Sequence, residues 1–106
     1  LNLAQACWQT LQSADNRDLP AVMHWSDAGA ASWYDVAVCV GQIGAGLGLI
    51  DTPAAVQPIT TADYPTPAER PAYSLLDCTA TRAALDLNGE HWQQALKTLL
   101  QQAKTP

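Results

Sequence analysis

Three prolines, Pro65, Pro67 and Pro71, fall within seven residues of a 106-residue chain. Each fixes φ near −65° and removes a backbone N–H, and each pushes the residue before it towards extended conformations. Residues Tyr64 to Pro71 therefore can be neither a helix nor an interior strand, and are expected to form an extended, stiff arm. Whatever folds must do so on either side of that arm. At this length the chain is one domain or part of one, able to bury roughly 65% of its unfolded surface if it closes its own core.

Upstream of the arm, Leu3, Cys7 and Leu11 recur every four residues with Trp8 beside them. That spacing predicts an amphipathic helix over residues 2–13, ending in the polar stretch Ser13 to Asp18. The short apolar run Ala21-Val22-Met23-His24-Trp25 follows Pro20 and is closed by Ser26, Asp27 and Gly29, which favours a buried strand. Ser32 and Asp35 form a Ser-x-x-Asp cap signature, so a helix is expected from Trp33. Val36, Val40, Ile43 and Leu47 continue it, although Gly41, Gly44 and Gly46 each cost about 1 kcal/mol relative to Ala, and Gly48 is the expected stop. Val56 to Thr60 is a second candidate strand. Beyond the arm, Tyr73 to Leu76 is expected to pair briefly, Thr79 to Leu85 to form a short helix, and Trp92, Leu96, Leu99 and Ala103 to mark a final helix after Gly89. The fold class is thus α/β, an α+β fragment with about four helices and two or three short strands; strands this few make a poor sheet alone.

Charged residues are only 14% of the chain, low for a soluble domain, which suggests that some surface is normally covered. A net charge of −5 leaves no basic stripe for a phosphate backbone, so neither nucleic acid nor an anionic membrane is an expected partner. The run Val36–Ile50 is too short and too glycine-rich to span a bilayer. Cys7, Cys39 and Cys78 are odd in number and widely spaced, and read as free thiols of a reducing, cytoplasmic compartment. His24 and His91 lack a third ligand at recognisable spacing, so no metal site is expected. The helical pattern begins at once at Leu1, as expected of a chain entered partway through a longer product.

Three stretches carry a resemblance: His24-Trp25-Ser26-Asp27-Ala28-Gly29, then Ser32-Trp33-Tyr34-Asp35, then Pro58 to Asp77 with its string Tyr64-Pro65-Thr66-Pro67-Ala68-Glu69-Arg70-Pro71-Ala72-Tyr73-Ser74-Leu75-Leu76-Asp77. In this order, and with the closing helix from His91, they resemble the C-terminal region of dTDP-4-dehydrorhamnose reductases, an extended short-chain dehydrogenase family. The resemblance covers nearly the whole chain, so residues 1–106 are expected to be a C-terminal substrate-binding domain. It implies an N-terminal Rossmann domain, missing from this sequence, that binds NADPH, and a dTDP-sugar held over it by the smaller region. It also implies a catalytic Tyr-x-x-x-Lys pair. Here Tyr34, Tyr64 and Tyr73 are followed four residues later by Val38, Ala68 and Asp77, so no catalytic residue is assigned and the chain alone is expected to be inactive. No cofactor-binding residue is assigned either, because Gly41 to Gly48 lacks the Gly-x-Gly-x-x-Gly spacing.

The substrate-binding candidates are Arg70, Tyr73, Tyr64 and Tyr34. A guanidinium fork matches a diphosphate, the prolines around Arg70 stiffen its backbone, and the resemblance extends a diphosphate contact to it. The alternative is a salt bridge from Arg70 to Glu69 or Asp77. Tyr64 and Tyr73 could stack on thymine or sugar, or simply pack on their neighbouring prolines. Trp33 and Tyr34 are expected to anchor their helix to the core, with Tyr34 also able to reach a ligand cleft; Asp77 reads as a helix cap. Ala80 stands where the family usually has Lys. Three functions compete: a sugar-nucleotide-binding piece of a reductase, a non-catalytic interaction module, and a homo-oligomer assembled through a normally covered face.

Overall fold

A computed structural model describes residues 2–15 and 18–104. Among them are four α-helices, α1 (Asn2–Ser13), α2 (Trp33–Gly46), α3 (Thr79–Leu85) and α4 (Trp92–Lys104), and one 3-10 turn, Thr61–Asp63. All four helices stand where the apolar spacing predicts them. Asn16 and Arg17, part of the polar stretch expected to end α1, lie outside the described residues, as does Leu1.

The strands are a correction. None forms among the described residues; Ala21 to Trp25, Val56 to Thr60 and Tyr73 to Leu76 are irregular. A ladder needs a partner as well as an apolar run. The first run finds none; three residues beyond it lies a single parallel bridge between Ala28 and His91. There the Ala28 N–H donates to the Glu90 carbonyl at 2.8 Å, and the Trp92 N–H to the Ala28 carbonyl at 3.0 Å. The run itself lies on α3 through the His24 N–H, which donates to the Thr81 hydroxyl at 3.0 Å.

The chain divides into two compact units, Leu1–Gly29 with Leu75–Trp92, and Ala30–Ser74 with Gln93–Pro106. In the first, α1 packs against α3 around Ala6, Cys78 and Leu85, with Ser13 and Thr81 also buried. An amphipathic helix ordinarily turns its apolar stripe inward. Helix α1 does the reverse: Ala6 and Ser13 are buried and Asn2, Gln9 and Thr10 half-buried, while Leu3, Trp8 and Leu11 are 60%, 62% and 69% exposed. Its inner face is held by polar contacts, since the Asn2 amide donates to Asp27 Oδ1 at 2.9 Å and Glu90 Oε2 at 3.3 Å. Gly29 makes the approach of residues 91–92 possible. With φ at +92°, a Cβ there would lie 2.5 Å from His91 Nε2 and 3.0 Å from Trp92 Cδ1.

In the second unit the α2 cap forms as the Ser-x-x-Asp signature requires. The Asp35 N–H donates to the Ser32 hydroxyl oxygen at 3.2 Å, and the Ser32 N–H to Asp35 Oδ2 at 2.7 Å. At its other end the Gly48 N–H donates to the Ala45 carbonyl and the Leu49 N–H to that of Gly44, with Gly48 at φ +70°. This is a Schellman closure, and it uses the expected glycine. Trp33 is a second correction: it is 87% exposed and does not anchor α2 to a core. It sits in the first turn of α2, beside the exposed residues Ala31 and Ser32. The three cysteines are free, Cys7 exposed and Cys39 and Cys78 buried.

Candidate functional site

The arm begins in a clamp. The Thr60 N–H and hydroxyl both donate to Asp63 Oδ2, at 2.8 and 2.6 Å, and the Asp63 N–H donates back to the Thr60 carbonyl at 3.1 Å. Those bonds from the Thr60 side chain and backbone hold the Asp63 carboxyl below its ordinary value. The turn stops after one winding because Pro65 disfavours helical conformation at Tyr64. Downstream, the Thr66 hydroxyl donates to the Ala68 carbonyl at 2.8 Å, fixing the bend that leads to Arg70. Every residue from 57 to 77 is exposed.

All four candidate residues belong to the second unit, Tyr34 on the first turn of α2 and Tyr64, Arg70 and Tyr73 on the arm. Tyr34 is 40% exposed, Tyr64 69% and Tyr73 77%, so neither arm tyrosine is packed away beneath its prolines. Among the described residues no hydrogen bond or ion pair engages Arg70. The salt-bridge alternative therefore does not form. Asp77 instead accepts the Thr79 N–H at 2.9 Å from two residues ahead of α3, one position before the N-cap, Cys78. Its carboxyl is lowered chiefly by Thr79, side chain and then backbone, with His24 and Arg82 adding favourable charge. What remains is a free guanidinium and accessible phenol rings on a stiffened backbone, groups suited to an anion and to flat or sugar-like faces.

The glycine-rich segment does not fit a dinucleotide cofactor. Gly41 and Gly44 lie within α2; a Cβ at Gly41 would meet Pro53 at a tight 3.2 Å, whereas one at Gly44 would make ordinary contact with Ile50 at 3.5 Å. Gly48 closes the helix C-terminus, the negative end of its dipole, whereas a pyrophosphate is held at an N-terminus. Among the described residues no group of three or more His, Cys, Asp or Glu could hold a metal.

One arginine escaped the sequence reading. Arg82, on α3, donates from Nη2 to the Ser26 carbonyl at 3.2 Å and places its Cζ 6.0 Å from the centroid of the Trp25 ring. Gly89 accommodates it, since a Cβ there would come within 2.9 Å of Nη2. Arg82 thus ties the Trp25–Ser26 segment to α3, a positioning contact within the first unit. Its signal was weak: a lone cation in the last turn of a short helix ordinarily reads as a dipole partner facing water.

Residues 1–105 match the family described as RmlD substrate binding domain. The chain belongs to that family. It is 37% identical over 78 residues to a dTDP-4-dehydrorhamnose reductase of Aggregatibacter actinomycetemcomitans, covering 74% of this chain and 26% of the relative. To the spore coat polysaccharide biosynthesis protein SpsK of Bacillus subtilis it is 34% identical over 83 residues, 78% of this chain and 27% of the relative. A probable dTDP-4,6-dihydroxy-2-methyloxan-3-one 4-ketoreductase of Streptomyces antibioticus is 36% identical over 76 residues, 72% and 24% of the two chains. As an RmlD substrate binding domain the chain spans about a quarter of the length of the curated relatives it matches. No solved structure matches it.

Proposed function

We propose that this domain is the sugar-nucleotide-binding region of an NADPH-dependent dTDP-4-dehydrorhamnose reductase, which reduces the 4-keto group of dTDP-4-dehydro-L-rhamnose to give dTDP-L-rhamnose in the cytoplasm. One observation carries the reading: Arg70 stands free and exposed on a proline-stiffened arm with Tyr64 and Tyr73, in a chain whose relatives are named for chemistry on dTDP sugars and related ketones. In this reading Arg70 forks onto the diphosphate, Tyr64 and Tyr73 offer ring faces to thymine and sugar, and Tyr34 lines the same ligand. The reduction also needs a hydride donor, NADPH, and a proton donor, and both belong to the Rossmann part of the longer enzyme.

Titration of the chain with dTDP, followed by NMR, tests the assignment. Weak binding is expected, with shifts centred on residues 64–73. Arg70→Ala should weaken it at least about tenfold, since a charge-assisted pair contributes on the order of 1.5–3 kcal/mol. Arg70→Lys should recover only part, lacking the planar fork. Equal affinity for Arg70→Ala, or for thymidine without the diphosphate, would refute the role. With NADPH and the keto sugar the chain should show no turnover, for want of Tyr-x-x-x-Lys; oxidation of NADPH above background by the purified chain would overturn that.

A further inference from the structure

The chain has three asparagines, and only Asn88 precedes a glycine. Asn2 lies in α1, where its amide nitrogen donates to Asp27 and Glu90. Asn16 lies outside the described residues. Asn88 is exposed, in the irregular segment between α3 and α4. Among the described residues no hydrogen bond engages the Asn88 amide or the Gly89 N–H. The Gly89 nitrogen can therefore swing onto the amide carbon of Asn88, because no ladder or helix holds it and no Cβ bars the approach. The Arg82 guanidinium lies beside this glycine, since a Cβ built on Gly89 would come within 2.9 Å of Nη2 and 3.3 Å of Cζ. A fixed cation there favours the negative charge that develops as the amide proton leaves and the carbonyl is attacked.

We propose that Asn88 and Gly89 form a site of spontaneous intramolecular modification. Hydroxide from solvent takes the Gly89 amide proton. The Gly89 nitrogen bonds to Asn88 Cγ, and the bond from Cγ to Nδ2 breaks, its nitrogen leaving as ammonia with a proton from water. The product is a succinimide ring, formed without oxidation or reduction. Water then opens the ring: attack at Cγ gives Asp, while attack at the main-chain carbonyl carbon gives isoaspartate, whose chain continues through the former side chain. Either product adds a negative charge, and isoaspartate also adds a methylene to the main chain just before Gly89. That lengthening falls where the first unit is tight. The Glu90 carbonyl accepts the Ala28 N–H at 2.8 Å, and Gly89 lies against the arginine that holds the Ser26 carbonyl. The rearranged chain is therefore loosened where residues 26–28 meet 89–90. The inference does not depend on the sugar-nucleotide reading.

The test is to incubate the purified chain at neutral pH and physiological temperature and follow it by peptide mapping in a mass spectrometer. Methylation by protein L-isoaspartyl methyltransferase with S-adenosylmethionine is the probe for the rearranged product. Conversion at Asn88 should be at least about tenfold faster than at Asn2, and no more than about tenfold slower than in the urea-unfolded chain, because an uncovered segment opens at little cost. Asn88→Gln should remove the methylated product. Separated by ion exchange, the isoaspartyl chain should unfold at a lower urea concentration than Asn88→Asp, which carries the same added charge on an ordinary main chain. Conversion at Asn88 no faster than at Asn2, or a product that is Asp alone, would overturn the cyclisation. So would suppression by the fold of more than about tenfold, which would mean that the segment is held. Equal urea midpoints for the isoaspartyl chain and Asn88→Asp would overturn the loosening.

Discussion

Three aspartates share one device. Asp35 takes the backbone N–H and hydroxyl of Ser32, Asp63 the hydroxyl and N–H of Thr60, and Asp77 the Thr79 side chain and N–H. Donors aimed at a carboxylate favour its charged form, so all three are held below 3.8, first by the Ser32 backbone, the Thr60 side chain and the Thr79 side chain respectively. The sign follows: a carboxyl whose folded value is depressed contributes stability above its unfolded value, near 3.9, and loses it as pH falls through the folded one. Stability should be flat with respect to these groups above about pH 5 and decline below about pH 4. Carbon-detected titration should place all three midpoints below 3.8; a midpoint at or above it for any of them would remove that residue from the account. The chain's other left-handed position shows the same economy of side-chain type. Asp86, at φ 53°, closes α3 where glycine would be least strained, because a short polar side chain tolerates that region better than most.

At the scale of elements, α2 depends on its cap more than most helices do, because Gly41, Gly44 and Gly46 weaken its last two turns. Ser32→Ala should cost about 1 kcal/mol and lower the urea midpoint. An unchanged midpoint would mean that α2 is held by packing alone. The cap was legible from Ser32 and Asp35, followed by an apolar helical period. Thr60 and Asp63 carry the same pattern, but Thr60 reads as the end of a strand, since no apolar period follows and Pro65 cuts the winding to a single turn. Helix periods survived contact with the structure because an α-helix satisfies its own backbone; the strand readings did not, because the ladder partner of Ala21–Trp25 or Val56–Thr60 is no property of either run. Direction was equally hidden. The stripe Leu3, Cys7, Leu11 was visible, but which face α1 buries was decided by Asn2 reaching Asp27 and Glu90, contacts made across 25 and 88 residues of chain. On the arm, the residue types and the lack of regular pairing were legible from its prolines; in the first unit, Arg82 was missed because its partners Trp25 and Ser26 lie more than fifty residues away in sequence.

For the whole molecule, the first unit and the arm of the second differ in how their backbone is protected. In the first unit α1 and α3 close over Ala6, Thr81 and Leu85, and Leu85 is 1% exposed. The arm has no such cover: residues 57–77 are exposed throughout, and three of them are prolines within the 65–71 window. Amides open to water and without partners exchange at nearly intrinsic rates, while those in packed helices wait for cooperative opening. Hydrogen exchange should therefore finish first between Thr66 and Leu76 and last around Ala6 and Leu85. The Asp63 and Tyr64 amides should exchange at an intermediate rate, since they donate to Thr60 and Thr61 at the surface. Saturating dTDP should slow exchange around Arg70 and Tyr73 and leave α1 and α3 unchanged, because an arm that is stiff but uncovered gains protection from its ligand and not from the fold. Protection of residues 66–76 equal to that of α3 without ligand would mean that the arm is covered by something other than nucleotide, and the binding role of Arg70 would have to yield to a packing one.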